Sequence, residues 1–231
     1  RRTSFAVSTD ENRYVLNGLY LSFKENKLTM VATDGRRLAL AEEDVELKDD
    51  NPLEVIVPTK AIQELSRSLG DKGDVEIQIT ENQVSFGLKE NDGTGSLIVS
   101  KLVEGAYPNY KQVIPAESKH RVTLDKEELF HALRRAEIMT SEKANSVKLT
   151  FSENNLTFTA NSPEVGESRE TMAIKYEGEE TSIAFNPQFF IDPLKALEED
   201  EVHFEFTDQL SPGVVKVNHP FLYVIMPMRT S

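Results

Sequence analysis

The 231 residues contain no cysteine and no tryptophan. Without thiols there is no disulfide framework, no thiolate nucleophile and no cysteine metal site. The absence fits a reducing compartment. No apolar run approaches the roughly 20 residues of a membrane span, and no charged-then-apolar signal sequence opens the chain. A cytoplasmic location is therefore expected. Histidine is scarce: His120, His131, His203 and His219 are the four, none at HxxxH spacing, so no metal site is expected. Also missing are a GxxxxGK[ST] loop, a GxGxxG after a strand and a GxSxG elbow. Net positive charge is lacking as well. The 39 acidic against 26 basic residues give −13, which taken alone argues against a phosphate-binding protein. The carboxylates lie in runs such as 42–44 and 198–201, the pattern of solvated faces rather than of paired catalytic acids. Nothing organises a reaction or calls for a cofactor, so a binding or scaffolding role is expected.

What the chain does have is a long internal repeat. LYLSFKENKLTMVA (19–32) recurs as VKLTFSENNLTFTA (147–160). Leu21, Phe23, Asn26 and Leu28 map onto Leu149, Phe151, Asn154 and Leu156, each 128 positions later. The same offset carries Val57 to Phe185 and Leu69 to Leu197. A period of 128 is the size of a domain rather than of a solenoid unit. One fold is used twice, and 39% hydrophobic residues with 12 Phe suffice for two cores.

The second copy predicts a strand at 120–125, then a helix with Asp125 as N-cap, Glu128 completing a capping-box pattern, and Leu129, Leu133 and Ala136 on its apolar face. Strands follow at 146–151, 155–160 and 168–176. A strand at 181–185 then leads into a helix opened by Asn186 and Pro187. Phe190, Leu194 and Leu197 form its stripe, and Pro193 should kink or shorten it. Strands at 202–207, 214–218 and 221–226 complete the copy. In the first copy the matching signals are a strand at 55–58, Thr59 as cap, Ile62, Leu65 and Leu69 as stripe, and Gly70 as terminator. Hairpin turns are expected at Glu25-Asn26, Asp34-Gly35, Asn91-Asp92-Gly93 and Glu153-Asn154. Each domain thus reads as two β-α-β-β-β units: an α+β fold of antiparallel sheets with helices on one face. The domains are expected at 1–116 and 117–231, with the boundary near Pro115–Lys119. Subtracting 128 from residues 121–128 gives positions before Arg1. The first copy should therefore lack its opening strand and first helical turn, with residues 1–9 as the tail of that helix, and the chain should be a fragment.

Two stretches stand apart from plain core: ATDGRRLAL (32–40) and FLYVIMPMRTS (221–231). Each can be a simple hairpin or edge strand, since Pro227 cannot donate to a ladder. Each can instead wall an apolar groove, because Met226 and Met228 flank a rigid proline and methionine adapts to varied apolar partners.

TDGRRLA, IVPTKAI (56–62), SKLVEGAYPNY (100–110) and VIMPMR (224–229) stand in an order and spacing that resemble the bacterial sliding clamp, the beta subunit of DNA polymerase III. The resemblance implies a non-catalytic processivity factor in DNA replication, with three similar domains per subunit. By the same resemblance, two subunits would form a head-to-tail homodimer ring around double-stranded DNA. It also implies a pocket, between the middle and last domains, for short apolar peptides of the replicative polymerase, clamp loader and repair proteins. Matched residue by residue, the pocket takes Leu16, Thr33, Gly35, Arg37, Leu38, Pro108 and Val113 from the middle domain. The last domain supplies Asn186, Phe189, Leu210, Pro212, Val224, Ile225, Met226, Pro227, Met228 and Arg229. Arg36 replaces a frequent His, Phe189 a Tyr, Thr230-Ser231 a terminal Leu, Gln112 an Arg and Ala144 a Phe. A ring that slides needs loose contacts, so basic residues on inner helices suffice despite the acidic total. The candidates are Arg1, Arg2, Lys60, Arg67, Arg134, Arg135 and Lys195. As a fragment the chain should keep the pocket but not close a ring. The alternatives are a free-standing peptide-binding adaptor of the same fold and a nuclease or nucleotidyltransferase, the latter disfavoured by the missing metal-binding carboxylate motif.

Overall fold

The computed structural model describes residues 1–47, 51–70, 73–89, 95–140, 145–163 and 166–229. The chain packs as two units. One holds Arg1, Thr3–Gly35 and Ala39–Asn109; the other holds Arg2, Arg36–Leu38 and the chain from Tyr110 onward. The main break thus falls between Asn109 and Tyr110, ahead of the Pro115–Lys119 segment.

The first unit opens with short 3-10 helices at Ser4–Ala6 and Glu11–Leu16. Strands β1 (Gly18–Lys24), β2 (Lys27–Thr33), β3 (Arg37–Asp44) and β4 (Leu53–Pro58) follow, then α1 (Thr59–Ser68), β5 (Val75–Ile79), β6 (Gln83–Lys89) and β7 (Gly95–Lys101). Its strands run in the orders β4-β1-β2-β3 and β5-β6-β7. The second unit has a 3-10 helix at Tyr110–Val113, then β8 (His120–Asp125) and α2 (Lys126–Ile138). Next come β9 (Val147–Ser152), β10 (Asn155–Ser162), β11 (Gly166–Ala173), β12 (Thr181–Phe185) and α3 (Pro187–Ala196). β13 (Glu201–Phe206), β14 (Gly213–Lys216) and β15 (Phe221–Ile225) end it. Here the orders are β11-β10-β9-β12 and β15-β14-β13-β8. The fold is α+β, as the alternation of short strand and helix patterns implied. Among the described residues no helix is long and apolar enough to cross a membrane.

The repeat is visible in backbone detail. β1–β2 and β9–β10 are equivalent antiparallel hairpins, and Asn26 and Asn154 in their turns both take positive φ, +57° and +54°. Asparagine tolerates that region because its short polar side chain bonds locally. Leu69 and Leu197 are both C-caps, each N–H donating to the carbonyl four residues back, Leu65 at 2.9 Å and Pro193 at 3.0 Å. Yet Leu197 is buried and Leu69 is exposed. The cause is packing: α3 lies against α2, whereas α1 lies against β1, β4 and β7.

Several local expectations fail, each for a physical reason. Thr59 is the first helical residue rather than the cap. Its hydroxyl donates to the Asn17 carbonyl at 2.5 Å, and Pro58 takes the N-cap place with no side-chain bond. Gly70 does not stop α1 in a left-handed turn, because Leu69 ends the helix in extended conformation. Ile62 and Leu65 are only half-buried, leaving Ala61 as the buried residue of α1. Residues 1–9 are no α-helical tail: after the 3-10 turn Ser4–Ala6 the chain extends at Val7. The strand expected at 168–176 runs instead from Gly166 to Ala173. Pro193 is accommodated inside α3, which ends three residues later. The turn at Asn91-Asp92-Gly93 lies outside the described residues. In contrast, Asp125 caps α2 by accepting the Glu128 N–H at 2.8 Å, and Leu129, Leu133 and Ala136 are buried as expected.

The core of the second unit is aromatic. The Phe204 ring lies 5.8 Å from Phe151, 5.9 Å from Phe185, 5.2 Å from Phe190 and 5.6 Å from Phe206. These rings come from β9, β12, α3 and β13, so one side chain joins both sheets to a helix. Gly213 on β14 is required by the same cluster, since a Cβ there would stand 2.5 Å from Phe204 Cζ. Phe204→Ala is expected to cost about 3–5 kcal/mol, and Gly213→Ala to destabilise by overpacking. Denaturant midpoints at constant slope would check both; a wild-type midpoint for Phe204→Ala would contradict the hub.

A polar cluster closes one edge of this unit. Arg2 Nη1 lies 3.0 Å from His219 Nδ1, His219 Nε2 bonds Glu199 Oε1, and Arg2 Nη2 stands 3.6 Å from that same oxygen. Burial raises the Glu199 pKa, but a backbone hydrogen bond, His219 and Arg2 outweigh it, so the carboxyl sits below the usual glutamate range. A depressed carboxylate stabilises the fold above its unfolded pKa, about 4.3 for glutamate. That contribution is lost as pH falls through the folded value. The stability gap between wild type and Glu199→Gln should therefore narrow on acidification below about pH 4.3. Urea midpoints at neutral and acid pH would show it, and a constant gap would exclude it.

Candidate functional site

α3 starts where Asn186 Oδ1 accepts the Gln188 N–H at 3.0 Å. This cap satisfies one of the free donors of the first turn. Phe190, Ile191 and Leu194 face the core, which leaves Gln188, Phe189 and Asp192 half-buried on the other side. Gln188 and Asp192 are one helical turn apart, and the Gln188 amide donates to Asp192 Oδ1.

Arg36–Leu38 pack with this unit. Arg37 Nη1 donates to Asp192 Oδ2 at 2.5 Å, with the two side chains only 11% and 20% exposed. The Arg37 guanidinium carbon stands 4.7 Å from the Phe189 ring centroid, and that of Arg36 5.8 Å. Both fall within cation–π range. The Arg36 carbonyl accepts the Met226 N–H at 3.0 Å, and Ala184 accepts the Met228 N–H at 2.7 Å. Pro227 between them has no N–H to satisfy. Met226-Pro227-Met228 is thus a strip tied at both methionines. Met226 is 38% exposed, and Pro227 and Met228 are half-buried.

The remaining matched residues divide by environment. Leu38, Val224 and Ile225 are fully buried core side chains. They do not line open surface. Leu210 is exposed in a loop that Asp208 holds by accepting the Leu210 and Ser211 N–H groups at 2.9 and 2.8 Å. Those bonds, Leu210 first, keep the Asp208 carboxyl below its ordinary range. Pro212 is half-buried, and Val113 and Arg229 are exposed. Leu16, Thr33, Gly35 and Pro108 belong to the first unit. Leu16 closes the second 3-10 helix. Thr33 Oγ1 accepts the Gly35 N–H at 3.1 Å, and Gly35 sits at φ +87°, a region that favours glycine. Ala144, Thr230 and Ser231 lie outside the described residues. Asp192 and Gln188 were missed by sequence reading. Their helical spacing was legible, but the partner Arg37 is 155 positions away.

Of the basic candidates, Lys60 and Arg67 stand on α1, Arg134 and Arg135 on α2, and Lys195 on α3. Several are engaged: Arg67 with Glu64 at 3.3 Å, Arg134 with Glu137 at 2.7 Å, and Arg135 in a forked pair with Glu170 at 2.6 Å. Hydrogen bonding to Glu170 raises the Arg135 pKa further. Exposed pairs of this kind are worth about 0–1 kcal/mol, so a polyanion can displace them. Among the described residues no cluster of three or more His or acidic side chains could hold a metal ion.

Residues 1–109 match the central domain of the DNA polymerase III beta subunit, and residues 111–229 match its C-terminal domain. Proteins named beta sliding clamp are similar over nearly the whole chain. That of Chlamydia pneumoniae is 39% identical over 229 residues, and that of Bacillus subtilis 35% over 236. These alignments cover 99% and 100% of this chain but only 61% of each relative. The crystal structure of a DNA polymerase sliding clamp from Pseudomonas aeruginosa superposes with TM-score 0.93 at 34% identity, covering 99% of this chain and 62% of that one. The Bacillus subtilis clamp structure gives 0.91, also at 34%. The chain belongs to the DNA polymerase III beta subunit family.

Proposed function

We propose that this chain is the partner-docking part of a DNA replication processivity clamp. In the intact protein, two subunits would enclose duplex DNA in a ring without reading its sequence. Polymerase, clamp loader and repair proteins would dock through short apolar peptides. The role is one of tethering, with no bond made or broken by the chain itself, and its place of work would be the cytoplasm.

The observation that carries this reading is the strip Met226-Pro227-Met228 beside the Arg37–Phe189 pair. Apolar, partly exposed side chains stand on a backbone whose donors are already satisfied, which suits an extended peptide with two or three apolar anchors. Methionine on both sides of the proline lets the surface accept varied anchors. Basic residues spread over three helices are consistent with loose phosphate contact, since each contact adds a salt-sensitive increment rather than specificity. Val113, Asn186, Leu210, Pro212 and Arg229, with Leu16, Thr33, Gly35 and Pro108, are assigned to peptide contact on family likeness.

A labelled peptide of QLxLF type is expected to bind with a Kd of order 1 μM, about −8 kcal/mol. Met228→Glu should weaken it at least tenfold, about 1.4 kcal/mol. Met228 is the residue to change, because a charge at buried Leu38 would also destabilise the fold. Fluorescence anisotropy decides, and undiminished binding by Met228→Glu would remove the strip from the site. For a polypeptide of these 231 residues, two of the three domains that the family likeness implies, light scattering is expected to report a monomer. A stable closed dimer would contradict that expectation, because a closed ring needs matching surfaces at both ends of the subunit.

A further inference from the structure

We propose that Met226 is an oxidation site through which a peroxide switches off peptide docking; the proposal rests on the peptide-docking reading above. The chain has no cysteine and no tryptophan, so no thiol intercepts an oxidant and the thioethers are its readily oxidised groups. Five methionines are present, and among the described residues Met226 alone of them is exposed, at 38%. Met30, Met139 and Met228 are half-buried, and Met172 is buried. The oxidant class is a hydroperoxide. A lone pair of the Met226 sulfur attacks one peroxide oxygen, and an S–O bond forms as the O–O bond breaks. Sulfur gives up two electrons. With hydrogen peroxide, the departing hydroxide takes the proton of the transferred hydroxyl, leaving a sulfoxide and water.

The product changes the strip's surface while its anchoring stays. An apolar, adaptable thioether becomes a polar sulfoxide whose oxygen accepts hydrogen bonds. The strip's own backbone offers that oxygen no donor. The Met226 and Met228 N–H groups already donate to the Arg36 and Ala184 carbonyls at 3.0 and 2.7 Å, and Pro227 has none. Water then satisfies the oxygen, and an apolar anchor seated on Met226 would remove that water without replacing its hydrogen bond. The two backbone bonds do not involve sulfur, and the neighbouring core side chains are Val224 and Ile225, so oxidation leaves the strip in place. A dithiol reductant reverses the change: the oxygen leaves as water while two thiols become a disulfide. Docking would thus follow the surrounding redox state in both directions.

The test uses the 231-residue chain and the labelled QLxLF-type peptide. Hydrogen peroxide is applied in graded doses and removed with catalase. Each sample is then read by peptide mass mapping, fluorescence anisotropy and thermal melting. Met226 should gain one oxygen before Met30, Met139 and Met172 do. Affinity should fall about tenfold in step with that gain, with the melting temperature unmoved. Methionine sulfoxide reductases with dithiothreitol should restore it. Met226→Leu, whatever its own starting affinity, should lose less than wild type at the same dose. Four results would overturn the proposal while leaving peptide docking intact: oxidation of Met226 no sooner than of the others, intact affinity once Met226 is oxidised, a loss that the reductases do not reverse, and an equal loss in Met226→Leu. A melting temperature that falls in parallel would overturn it too, since the loss would then be unfolding. Failure of untreated wild type to bind the peptide would instead overturn the docking reading itself.

Discussion

Phe204 is the side chain on which the second unit depends. It stands where β9, β12 and α3 converge on β13, and its neighbours are themselves aromatic. Rings at these separations add offset and edge-to-face attraction to the area they bury. The geometric consequence matters more than the energy. With Phe190 in that cluster and Ile191 and Leu194 also buried, the rotation of α3 about its axis is set. Gln188, Phe189 and Asp192 then have only the outer side to occupy. The candidate site is the reverse face of the core.

Charge works differently on the two sides of the molecule's chemistry. On the helices, arginines are paired with nearby glutamates in exposed contacts that cost little to exchange. At Arg37–Asp192 and at Arg2–His219–Glu199 the partners are more shielded, so the pairing orders side chains instead of merely neutralising them. A net charge of −13 reports neither arrangement. Where the charges stand decides what they do.

Much of the fold was legible because its signals are local. An asparagine in a two-residue turn, an aspartate three residues before a helical glutamate, and an asparagine followed by proline each fix their own neighbourhood. The strand expected at 146–151 forms β9, where Val147, Leu149 and Phe151 are buried in alternation. Expectations failed where a distant group competed. Thr59 was drawn to the Asn17 carbonyl instead of capping, and Leu69 stayed exposed although its repeat partner Leu197 is buried: α3 packs against α2, whereas α1 packs against strands. Sequence likeness between copies cannot report what packs against each.

The sequence by itself determined the repeat of 128 residues, the α+β class, the principal caps and turns, and the residues that carry the family likeness. These rest on periodicity and backbone preference, which act over a few positions. The tertiary structure alone decided that Arg37 meets Asp192 across 155 positions, that Val224 and Ile225 are core, and that the two methionine N–H groups are tied to Arg36 and Ala184. Those contacts come from long-range packing around the aromatic hub, and no local pattern in the chain encodes them.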